Sequence, residues 1–263
     1  MRPWVRRTFY GVPRHLETGF STEDGYALPL PVKNASPNTI PTHPLRIGLY
    51  AARANLIPGL IVQAAMVTVV CAYYFYAPAR AWMEELALLK EHWGYLFACV
   101  SGMLAGAVLP EVFAISVFQR GRVNWANGED LLFGMIYWGS QSMVTDGFYR
   151  LQAVMFGAHT DLLTVAKKVL VDQLFYTPLY SMPLAILCFA WKNNGYRWAG
   201  MGRMWTFRFY KETIFPATVA AWGVWIPVVC MVYSLPSLLQ IPLFSLALTF
   251  WSMMLTWITR QKR

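Results

Sequence analysis

The sequence predicts an all-α, polytopic transmembrane helical bundle. Three observations point there. Of 263 residues, 57% are apolar and 13% charged, with 12 Trp, 14 Tyr and 16 Phe, far from the usage of soluble domains. Six windows approach the roughly 20 apolar residues that cross about 30 Å of hydrocarbon: about 55–77, 93–118, 131–155, 168–190, 213–235 and 238–258, the third being the weakest. Strict two-residue alternation is absent, which argues against a closed β-barrel, the other architecture that pairs all its backbone groups in lipid.

The formal charge of +9 follows the same layout. With six spans drawn, 17 Lys and Arg fall on one side and five on the other, namely Arg80, Lys90, Arg150, Lys167 and Lys168. The positive-inside rule then sets both termini on the same cytoplasmic or matrix-like side. Basic residues interleave with aromatic ones from Trp191 to Lys211, which reads as a belt at the lipid headgroups; no nucleic-acid partner is implied.

Residues 1–50 are rich in Pro, Asn, Thr and Gly and are expected to form an irregular extramembrane arm. Arg6 and Arg7 resemble a twin-arginine export pair, but no apolar core follows them. Residues 51–92 then supply an additional span and an interfacial helix, in which Trp82, Leu86, Leu89 and Trp93 recur at helical spacing. Glu84, Glu85, Lys90 and Glu91 take the other faces.

Residues 93–263 carry the remaining spans. In the second, Gly102 and Gly106 make a small surface for close helix approach. Pro110 and Glu111 follow; proline removes a helix donor, and an intramembrane glutamate needs water or a partner. In the third, Gly139, Ser142, Asp146 and Arg150 lie along one stripe, either lining a watery path or joining Asp146 to Arg150 beside a helix contact. In the fourth, Asp172, Gln173 and Tyr176 sit inside an apolar run with Pro178 and Pro183, and Lys168 stands one turn before the acid. Kinks are expected at Pro110, Pro178 and Pro183, and at Pro216 and Pro227 in the fifth span.

Cys71, Cys99, Cys188 and Cys230 all fall in apolar windows at no redox or metal-ligand spacing and are expected to be small core residues. His15, His43, His92 and His159 are scattered, so no metal site, cofactor or catalytic constellation is expected.

Several landmarks, in order, resemble the Mpv-seventeen and peroxisomal-membrane-protein family. They are Phe148-Tyr149, Lys168, Asp172-Gln173, Pro178, Phe215-Pro216, Ile226-Pro227 and the closing Trp251-Ser252-Met253-Met254-Leu255-Thr256. The resemblance runs over about residues 93–258. It departs at Trp222-Gly223, Met231, Gly106-Ala107 and Glu111, where the family has other residues. It implies a small-solute channel or permeability protein of the mitochondrial inner or peroxisomal membrane; a bacterial cytoplasmic membrane is the alternative.

Two functions are therefore expected. The first is a channel whose polar path is formed by Ser142, Asp146, Asp172 and Gln173, flanked by Arg150 and Tyr176. The second is a noncatalytic structural or accessory subunit in which the same groups bond between helices. The partners are the lipid bilayer and either a membrane-protein complex or further copies of the chain.

Overall fold

The computed structural model describes residues 43–260. Among these residues the chain is helical with no strands, and eight helices follow one another. They are α1 (Pro44–Ala54), α2 (Leu56–Phe75), α3 (Ala77–Trp93), α4 (Tyr95–Phe118), α5 (Trp125–Phe156), α6 (Leu162–Asn193), α7 (Phe207–Tyr233) and α8 (Ser237–Arg260).

The first helix begins inside the stretch expected to be irregular. Pro44 opens it, where a missing N–H costs nothing, and Ile47 and Ala51 are buried one turn apart. The expected arm is thus helical from residue 44, and its earlier part lies outside the described residues.

Five helices, α2, α4, α6, α7 and α8, are long and apolar enough to cross a membrane; the protein is a helical integral membrane protein in contact with lipid. The third window lies in α5, which is not among the five. At 32 residues, about 48 Å at 1.5 Å per residue, α5 is long enough but too polar. Its Gln141, Ser142, Thr145, Asp146 and Gln152 are all buried, so they face protein, and a hydropathy sum counts them as though they met lipid.

Two compact units divide the chain, and they do not follow the sequence-based boundary at 92/93. The larger comprises Pro58–Val171 and the segment from Trp225. Within it α4 packs along α5, and α8 packs on α3, α4 and α5. Its core gathers Val62, Met66, Tyr149, Val232, Tyr233, Leu239 and Leu243. The smaller comprises the residues up to Ile57 and Asp172–Val224. There Gly48 lies so near α7 that a Cβ would stand 2.6 Å from Val219 Cβ.

Helix ends follow local chemistry. An Asn124/Asn127 capping box starts α5, and the Thr206 hydroxyl accepts from the Phe209 N–H at the start of α7. Arg80 caps the end of α2 by donating to the carbonyls of Tyr73 and Tyr74. The α3–α4 joint is Gly94 at φ +52°, a backbone conformation costly for other residues.

One sequence expectation is reversed, and one helix gains its inward face. The inward side of α3 is the Met83/Lys90 side, while Trp82 is 68% exposed and Leu89 and Trp93 are also exposed. Periodicity locates an apolar stripe but not its neighbour; around a membrane protein that stripe can face outward, leaving a cation inside. Cys71, expected in the core, is exposed on α2 for the same reason.

Candidate functional site

In the larger unit the polar residues of α5 meet partners from α3 and α4. Asp146 Oδ2 accepts from Lys90 Nζ at 2.8 Å and from Arg150 Nε at 3.1 Å. Lys90 is 1% exposed, so its ammonium depends on that carboxylate. Arg150 is half exposed and spreads its guanidinium over the Tyr95 ring, 4.9 Å from the centroid, which favours the cation further. The Asp146–Arg150 pair was legible from its four-residue spacing. Lys90 was missed: 56 positions away in sequence, it was read only as lying off the apolar stripe of α3.

Directly beside this cluster, Ser142 is fully buried where α4 comes closest to α5. A Cβ on Gly102 would stand 2.5 Å from the Trp138 carbonyl oxygen and nearer still to Ser142 Oγ; one on Gly106 would run into the Trp138 ring. Ser142 therefore abuts a helix contact, and its Oγ has no protein hydrogen-bond partner.

Several other buried polar groups of this unit have partners. Glu111 accepts from the Asn127 side chain, so one asparagine serves both the capping box and the acid. Gln152 Nε2 donates to Tyr233 Oη at 2.6 Å, and Lys168 Nζ lies 5.9 Å from the centroid of the same tyrosine ring. At the start of α6 the exposed Asp161 carboxylate accepts from the N–H groups of Leu163 and Thr164, 3.1 Å each. Hydrogen bonds from the Thr164 side chain and then its backbone hold this carboxyl below its ordinary range.

The smaller unit holds Asp172, Gln173 and Tyr176, and Asp172 and Gln173 are buried. From Asp172 to Ser181 the helix widens to the i→i+5 pattern of a π-helix, with Pro178 inside it. Asp172 Oδ1 accepts from Gln173 Nε2 at 2.9 Å and from Thr177 Oγ1, five residues on, at 3.3 Å. Gln173 Oε1 is buried without a protein donor.

Prolines explain the remaining backbone bonds. In a wide register a carbonyl five residues before a proline meets no N–H. Gln173 O, five before Pro178, accepts from Trp222 Nε1 at 3.0 Å, and Pro178 O, five before Pro183, accepts from Tyr210 Oη at 3.2 Å. In the larger unit Leu104–Val108 is also widened, and Ala105 O, five before Pro110, lies 3.0 Å from Ser252 Oγ, whose single O–H it shares with Leu248 O at 2.7 Å. Pro216 lies two residues after another widened turn at Tyr210–Ile214, whereas Pro227 lies in ordinary α-helix. The donor role of Ser252, Trp222 and Tyr210 was not read from sequence, although a proline preceded by an apolar run is the signal that such a donor is needed.

No family model, curated protein or solved structure matches the chain. Among the described residues no group of three or more His, Cys, Asp or Glu is placed to hold a metal ion. The arrangement offers buried ion pairing, helix contacts through small residues, and carbonyls capped by side chains.

Proposed function

We propose that the chain is a noncatalytic structural or accessory subunit of a membrane protein complex, with its intramembrane charges used to tie helices together. The observation that carries this reading is Asp146, buried and shared by Lys90 and Arg150. A carboxylate that already meets two cations has little left to offer a passing solute. The Glu111–Asn127 and Gln152–Tyr233 pairs support the same reading. The resemblance over about residues 93–258 favours a mitochondrial inner or peroxisomal host membrane.

Purified protein in sealed liposomes tests the proposal through conductance and release of small solutes. Silence across solutes and voltages supports a structural role. Flux that Asp172→Asn abolishes sinks it in favour of a small-solute channel. That second reading is favoured by Gln173 Oε1 and Ser142 Oγ, buried acceptors without protein donors on two residues expected in a polar path.

A further inference from the structure

We propose that Trp222 selects the helical register of the Asp172–Ser181 segment and thereby which side chain stands over the Asp172 carboxylate.

Two registers are open to a helix containing Pro178. In the i→i+5 register, the carbonyl of Gln173 meets the proline and finds no N–H. In the ordinary i→i+4 register, Gln173 O would meet the Thr177 N–H, and Leu174 O would meet the proline instead. Each register orphans one carbonyl against Pro178, so the choice depends on where a substitute donor lies. Gln173 is 4% exposed and has the Trp222 indole N–H 3.0 Å from its carbonyl, whereas Leu174 is 50% exposed on the outer side of the helix. A carbonyl orphaned toward hydrocarbon has no water to turn to, so the indole favours the wide register.

The register has a chemical consequence. Thr177 reaches Asp172 Oδ1 across five residues because the turn is wide. In the ordinary register Tyr176, four residues on, would occupy that place. A single N–H thus decides whether an aliphatic hydroxyl or a phenol lines the buried carboxylate. Tyr210, bonded to Pro178 O, fixes the segment one proline further along.

Trp222→Phe keeps the bulk and removes the N–H. The test places single spin labels at non-proline positions from 174 to 182 of the full chain, with Cys71, Cys99, Cys188 and Cys230 replaced, and reconstitutes it in liposomes. Collision with oxygen then reports the phase of the lipid-facing side. In the Trp222→Phe background the oscillation beyond Pro178 moves by one residue, about 100° of helical phase, relative to the same labels with Trp222 present. An unchanged phase in a folded Trp222→Phe protein overturns the proposal. Should that variant fail to fold, adding Pro178→Ala gives Gln173 O a backbone donor, and the double variant folds. A double variant that still fails to fold also overturns the proposal.

Discussion

Lys90 Nζ stands 2.8 Å from Asp146 Oδ2, with the two side chains 2% and 5% exposed and their positions 56 apart in sequence. Removing one partner of a buried pair leaves a charge that water cannot reach, at a cost of about 3–5 kcal/mol. Asp146→Ala strands Lys90 and falls in that range. Lys90→Met costs less, because Arg150 Nε still lies 3.1 Å from the carboxylate. Equilibrium unfolding in mixed micelles measures both, and equal or reversed losses would contradict the shared-carboxylate arrangement.

The α4–α5 contact depends on the absence of a side chain at residue 102. Gly102→Ala forces a methyl against Trp138 O and Ser142 Oγ and is expected to cost about 1–3 kcal/mol. Gly147→Ala is the control, since its methyl would meet Tyr95 Oη at an ordinary 3.5 Å. Thermal unfolding of the two variants side by side should separate them; a Gly102→Ala protein as stable as Gly147→Ala rules out the close contact.

Ser252 and Pro110 should be energetically coupled. Ser252→Ala removes the hydroxyl that Ala105 O shares with Leu248 O and is expected to cost about 1 kcal/mol, the net worth of one hydrogen bond. In a Pro110→Ala background the backbone regains an N–H within reach, and the same substitution becomes nearly neutral. A double-mutant cycle with no coupling would show that the serine does not stand in for the proline's missing donor.

Asp161 gives a pH dependence of known sign. Its folded pKa is depressed by hydrogen bonds from Thr164, so its charge stabilises the fold above the unfolded value, near 3.9 for a free aspartate, and that contribution is lost as pH falls through the folded value. The stability gap between wild type and Asp161→Asn is therefore constant from about pH 6 to 8 and closes on acidification. Parallel unfolding measurements down to low pH test it, and a gap that persists there would remove the role assigned to the charge.

The helical membrane bundle was legible because a run of apolar residues has one outcome in lipid. Local pairs were legible too: Asp146 and Arg150 are four residues apart on one helix, and Gly102 and Gly106 mark a close contact by their size alone. What the sequence concealed is long-range. The burial of Lys90 could not be read from the stripe of Trp82, Leu86, Leu89 and Trp93, since periodicity cannot tell lipid from protein as the apolar neighbour. Trp222, Tyr210 and Ser252 matter only through carbonyls that prolines on other helices leave unpaired, a relation invisible until both helices are placed.

As proposed, the Asp146 carboxylate is a dry structural tie. Water-edited carbon-13 solid-state NMR of the protein in lipid bilayers measures how fast polarisation passes from water to each side chain. Slow build-up is expected at Asp146 Cγ and Lys90 Cε, with fast build-up at the half-exposed Arg150 as the internal reference. Fast transfer to Asp146 and Lys90, matching Arg150, would make the cluster part of a hydrated path and contradict it.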